Sequence, residues 1–264
     1  MNIGMIVHQM GAASGGVSVL AYFVAVVVGS FVIRGMTGFG GNSVGIPPLA
    51  LVMPLAVLAP AFAVVGFAAG TFQMAVSWRE IVWKEIWKSL PPMVTGVVIG
   101  SLLFRELAHV VLLKILLGMF ISAYSLYAIA SMLNLRIAAF GKSSLQPPQA
   151  RLIASFAVGF LGLLFGQGGS LYAVYMHYIN LSKASLRATL SCFLVFSSII
   201  RCIGYASTGF LFTKAVGMTL ACALPAMLVG MLIGQYVHAK SNRNAMIMTI
   251  MLVLLGTGLA LIFA

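Results

Sequence analysis

The sequence predicts an all-α polytopic membrane protein of two internally repeated halves, each with four to five membrane segments and a Gly-rich broken or re-entrant helix. Three observations carry this expectation. Of the 264 residues, 62% are hydrophobic and only 7% are charged, a balance that cannot be divided between one buried core and a water-facing surface, so the solvent must be lipid. Long uncharged runs alternate with short charged stretches. Glycine motifs recur at a fixed offset between the two halves of the chain.

The uncharged runs extend from Met1 to Ile33, Gly35 to Trp78, Ser89 to Phe104, Ile115 to Leu135, Leu152 to Ser182, Ala215 to Ala239 and Asn244 to Ala264. A helix needs roughly 20 apolar residues to cross the hydrocarbon core, so these runs supply at least seven spans, and the second and fifth are long enough for two each. Met1 to Gly16 has neither a positive leader region nor a small-residue cleavage site and reads as mature sequence. The Lys and Arg residues behind the net charge of +12 mostly punctuate the runs, so they read as topology signals rather than as a nucleic-acid surface. Trp78 to Lys88 holds three Trp among Arg79, Lys84 and Lys88 and is expected on the cytoplasmic side, which places Arg105 to Lys114 outside. Parallel and inverted halves both remain open; Lys240 and Arg243 favour inversion.

The one long polar linker, residues 136–150, contains Gly141, Lys142, Ser143, Ser144, Pro147 and Pro148. It separates a first repeat, 1–135, from a second, 151–264. Shifted by 128 residues, Gly38-Phe39-Gly40-Gly41-Asn42 falls on Gly166-Gln167-Gly168-Gly169-Ser170. Pro91, Gly96 and Gly100 return as Pro225, Gly230 and Gly234 at a shift of 134. Each half then contains a short apolar piece after its glycines, Ser43 to Leu55 and Ser170 to Leu181, too short to cross alone. Irregular backbone is tolerated at membrane depth only inside protein or along a cavity. Paired interruptions at matching positions therefore mark the expected binding site.

The polar inventory points to an anion. The three acidic residues, Glu80, Glu85 and Glu106, all fall in charged loops, and the sequence has no Asp. Intramembrane carboxylates are the usual proton relays and cation ligands of transporters, so a cation would find no counter-charge here. Arg34 precedes the first break, Lys183 and Arg187 follow the second short piece, and Arg201 interrupts an apolar stretch. Half-helix N-termini add unpaired N–H groups and a positive dipole end. The candidate binding residues are Arg34, Gly38, Gly40, Gly41, Asn42, Gln73, Gly166, Gln167, Gly168, Gly169, Ser170, Arg187 and Arg201, with Gln73 at the position equivalent to Arg201 and Ser43 as a further donor. Arg34 reads equally as a snorkelling anchor, Arg201 as a helix-end anchor, Lys183 and Arg187 as loop signals, and His177 as a packing residue. The spacing of Cys192, Cys202 and Cys222 fits neither a metal cluster nor a redox motif. No metal or cofactor is expected. Without a zinc-helix motif, a nucleophile elbow, a Walker lysine or paired carboxylates, an enzyme is not expected either.

At Gly35 to Pro54 (GMTGFGGNSVGIPPLALVMP), Gly162 to Gly169 (GLLFGQGG) and the two Pro-x4-Gly-x3-Gly helices, the sequence resembles the sulfite exporter TauE/SafE family. The resemblance implies a multi-pass protein of the bacterial inner membrane that moves sulfite, thiosulfate, sulfoacetate or a related organosulfonate, with the lipid bilayer and a small anion as partners. Homo-oligomers are compatible with it. Asn42 departs from the glycine many members carry, which leaves the substrate within the family open. Two other readings remain, a membrane anchor whose glycines serve helix packing, and a cation-coupled importer.

Overall fold

The computed structural model describes residues 15–107, 111–132, 147–166, 169, 172, 175–176, 182–237 and 243–263. They form α1 (Gly15–Thr37), α2 (Gly41–Ala50), α3 (Leu55–Ser77), α4 (Trp83–Leu107), α5 (Val111–Met132), α6 (Pro147–Phe165), α7 (Lys183–Ser207), α8 (Lys214–Val237) and α9 (Arg243–Phe263), with a 3-10 turn at Trp78–Glu80. No strand occurs among the described residues. Six helices, α1, α3, α4, α6, α7 and α8, contain stretches long and apolar enough to cross a membrane. Hydrocarbon offers no partner to backbone N–H and C=O groups, so a chain this apolar has to satisfy them within helices. The chain is a multi-pass membrane protein.

The expected boundaries shift in detail. The first short piece, read as Ser43 to Leu55, is helical over Gly41–Ala50 and leaves the helix through a tight turn in which the amides of Val52 and Met53 both donate to the Leu49 carbonyl. Pro54 then caps α3 in an extended conformation. Helix α6 begins at Pro147, inside the stretch read as linker, where a proline's missing N–H costs nothing. Residues 136–146 and most of Ser170 to Leu181 lie outside the described residues.

Glycines set the helix crossings. A Cβ on Gly96 or Gly100 of α4 would meet the carbonyls of Phe156 or Phe160 on α6, and one on Gly230 or Gly234 of α8 would meet those of Val28 or Val32 on α1. These are Gly-x3-Gly contacts, in which missing side chains let two backbones approach. In both interfaces the numbers rise together, so α4 runs parallel to α6 and α8 runs parallel to α1. Gly66 and Gly70 of α3 lie against Ser198 and Val195 of α7, and Gly118 of α5 against Gly258 and Ile262 of α9, and these two pairs run antiparallel. Helix α2 folds back along α1, since the Tyr22 hydroxyl near the start of α1 donates to the Pro48 carbonyl near the end of α2, 3.0 Å. The hairpin α1–α2 therefore opens on the face where α3 begins, while α6 starts on the opposite face. Large apolar side chains such as Leu102, Leu232 and Ile233 point outward, as a lipid-facing surface requires.

Candidate functional site

Two helices stop at the centre of this packing, and both stop on a left-handed glycine. Helix α1 ends at Thr37 and is followed by Gly38, φ 88°, and Gly40, φ 91°; α6 ends at Phe165 and is followed by Gly166, φ 70°. Positive φ is close to free for glycine and strained for other residues, which is why helices end there. A helix terminated inside the protein leaves its last carbonyls without intrahelical partners. Arg201 Nη1 donates to the Gly162 carbonyl, 3.1 Å, and the Tyr205 hydroxyl donates to the Leu163 carbonyl. At the other break the Gly38 amide and Gln73 Nε2 both donate to the Arg34 carbonyl, 2.8 and 3.1 Å. Gln73 and Arg201 stand 128 residues apart, as do Arg34 and Gly162, so the same bond is made twice.

Helix α2 restarts the chain at Gly41. Its first helical bond is Val44 N–H to the Gly40 carbonyl, 2.9 Å, so the amides of Gly41, Asn42 and Ser43 have no acceptor within the helix. They carry the positive end of the helix dipole. Gly40, Asn42 and Ser43 line one cavity with Gly166, Gly169, Arg34, Arg201, Leu194, Ser197 and Ser198. The free space at its centre is about 20 Å3, room for roughly one water molecule. Gly66, near the middle of α3, packs on Asn42 and Ser198, so the cavity sits at mid-length of α3.

Arg34 and Arg201 are 3% and 4% exposed. Arg34 Nε donates to Gln73 Oε1, 3.4 Å, its Nη2 donates to the Gly66 carbonyl, 3.3 Å, and its guanidinium lies 5.9 Å from the Phe31 ring centroid. Arg201 donates from Nε to the Ser197 carbonyl, 3.3 Å, and from Nη2 to Ser198 Oγ, 3.1 Å. Neither guanidinium meets a carboxylate. Glu80 and Glu106 are exposed, and Glu85 pairs instead with Arg151, 3.6 Å, and accepts from the Tyr175 hydroxyl, 3.2 Å. Two charges are thus buried beside a cavity with only neutral partners, an arrangement that is expensive in a membrane unless an anion completes it.

Of the residues expected at the site, Arg34, Gly40, Asn42, Gly166, Gly169 and Arg201 line the cavity. Gly41 stands behind it, where a side chain would meet Arg34 and Phe31. Gln73 is one layer back, with both of its polar atoms engaged by Arg34, and Gly38 shapes the turn. Gln167, Gly168, Ser170 and His177 lie outside the described residues, as does the side chain of Arg187. Ser197 and Ser198 were not anticipated. Their signal was present, because Ser197, Arg201 and Tyr205 recur every four residues and so share one face of α7. Among the described residues no three His, Cys, Asp or Glu side chains gather as a metal site would need.

A protein-family model described as sulfite exporter TauE/SafE matches residues 21–261. No curated protein and no solved structure matches the chain significantly.

Proposed function

The chain belongs to the sulfite exporter TauE/SafE family, a family of membrane transporters, and on that premise we propose that it exports a small sulfur-containing anion, sulfite or an organosulfonate, bound between its two glycine breaks. One observation carries the reading: Arg34 and Arg201, one from each half, are buried at a shared cavity and no carboxylate neutralises either. A cation has no counter-charge there, and an anion would find both guanidiniums and the amides opening α2.

The two halves act as inverted copies in this reading. Its support is the register of the packing: α4 on α6 and α8 on α1 share one geometry, and α1–α2 opens to one face while α6 starts from the other. On the face of the α3–α4 loop stand Arg79, Lys84, Lys88, Arg151 and the starts of α7 and α9 at Lys183 and Arg243; the opposite face has Arg105, Lys114 and Lys214. Basic residues favour the cytoplasmic side, so that loop faces the cytoplasm, which for a bacterial inner-membrane protein is the side from which the substrate leaves. The cavity's narrow centre fits a closed step of the cycle, and rocking of one half against the other opens it to either side.

Uptake and release of radiolabelled sulfite by proteoliposomes tests the proposal. The wild-type chain should carry flux that Arg201→Gln abolishes, with both proteins inserted to the same level. A wild-type protein that inserts but moves no anion would return the glycines to a purely structural role, that of a membrane anchor.

A further inference from the structure

Asn42 fixes more about the substrate than its charge. Its Nδ2 donates to the Phe62 carbonyl, 3.0 Å. A backbone carbonyl only accepts, so the nitrogen has to be the atom facing it, and the orientation of the carboxamide is determined. Oδ1 consequently faces the other way. It is buried and has no hydrogen-bond partner among the described residues, in a side chain that lines the cavity. The other polar side chains of the described lining are donors or hydroxyls: two guanidiniums, Ser43, Ser197 and Ser198. Among the described side chains the cavity thus presents several donors, joined by the amides that open α2, and one oriented, unpaired acceptor.

Resting on the anion site described above, we propose that the transported species is a singly charged oxyanion that itself carries a hydrogen-bond donor, hydrogensulfite rather than fully deprotonated sulfite. By charge alone two arginines hold a dianion as readily as a monoanion. The orphan acceptor is what separates them. Every edge of sulfite offers lone pairs, so one would be pressed against Oδ1, leaving a buried acceptor unsatisfied. Hydrogensulfite turns its anionic oxygens to Arg34 and Arg201 and its proton to Oδ1. The narrow cavity favours the smallest members of this class over larger hydroxy- or aminosulfonates. The proton then crosses the membrane as part of the substrate, so a cavity with no carboxylate among its lining residues needs no relay of its own. The charged groups facing Asn42 across the cavity are Arg34 on α1 and Arg201 on α7. Of the elements packed on α2, α3 has no titratable side chain, the only other titratable one on α1 is Tyr22, Lys114, Tyr124 and Tyr127 of α5 line none of the cavity, and α9 carries Arg243, whose side chain lies outside the described residues. All of these are Arg, Lys or Tyr side chains.

The test is sulfite flux in proteoliposomes at fixed total sulfite, with pH equal on both sides and stepped from 6 to 8, and with methanesulfonate as competitor. Methanesulfonate is a tetrahedral monoanion with three oxygens and no donor, and its charge is constant over that range. Flux should fall as pH rises, with a KM that stays constant when expressed as hydrogensulfite, while the inhibition constant of methanesulfonate, calculated against hydrogensulfite, does not change with pH. In Asn42→Ala the preference for hydrogensulfite over methanesulfonate should fall about tenfold, the effect of one buried hydrogen bond. A KM constant in total sulfite or in the dianion would overturn the inference, as would a preference unchanged by Asn42→Ala. An inhibition constant for methanesulfonate that varies with pH would assign the dependence to a protein group instead, and would also overturn it. Failure of the anion site itself looks different: no saturable sulfite flux at any pH, and no effect of Arg201→Gln.

Discussion

Arg34 and Arg201 are held by carbonyls and neutral side chains, and this decides what their neighbours do. Gln73 was expected to touch the substrate because it occupies the position equivalent to Arg201. It instead accepts from Arg34 Nε and donates to the Arg34 carbonyl, and so aims the guanidinium. Gln73→Ala should raise the KM for sulfite about tenfold and leave insertion unchanged, since a hydrogen bond to a charged group contributes about 1.5–3 kcal/mol; initial-rate flux measurements check it. The two arginines were legible in the sequence because a charge inside an apolar run is rare and seldom idle. Ser197 and Ser198 stand out less, because serines are ordinary in membrane helices and only their spacing of four and three residues from Arg201 marks them. The carbonyls of Gly66 and Gly162, which hold the guanidiniums, have no sequence signature at all.

At the scale of elements, two adjacent glycines fail for different reasons. Gly40 has φ 91° and open space around its missing Cβ, so Gly40→Ala meets strain without a clash, about 1–2 kcal/mol. At Gly41, which starts α2, a Cβ would lie 3.1 Å from both Arg34 Cδ and Phe31. Gly41→Leu should therefore displace Arg34 and remove transport while the protein still inserts, whereas Gly40→Ala should retain part of its flux and unfold at lower temperature. Parallel flux and thermal-denaturation measurements separate the two outcomes. The crossing glycines are structural: Gly96→Val and Gly230→Val each drive a side chain into a backbone carbonyl of the facing helix, and both should lower the yield of folded protein. The motif pairs were readable because glycine is demanded by geometry at both sites. The extent of the short helix was not: it begins where Gly40 turns left-handed, and it ends in the turn around the Leu49 carbonyl, four residues before Pro54.

At the scale of the molecule, all-helical architecture and the membrane as solvent follow from composition, while the relative direction of the halves does not, because it depends on whether each short piece crosses. The proposed inversion puts Arg79 and Phe212 on opposite faces. In a chain with Cys192, Cys202 and Cys222 replaced by serine, Arg79→Cys should be labelled by a membrane-impermeant reagent only from the cytoplasmic side, and Phe212→Cys only from the outside. Labelling of both from one side would remove the inversion. The central claim is that a site with two unneutralised arginines and no carboxylate among its lining residues exports an anion on the membrane potential. Each negative charge leaving a negative interior gains roughly 2.3 kcal/mol per 100 mV, roughly a fifty-fold concentration ratio. The most direct measurement is sulfite efflux from proteoliposomes clamped with potassium and valinomycin, at equal pH and sodium on both sides. Efflux that steepens as the interior is made more negative, and that disappears in Arg201→Gln, is the predicted result; efflux indifferent to the potential and driven by an imposed sodium gradient would contradict it.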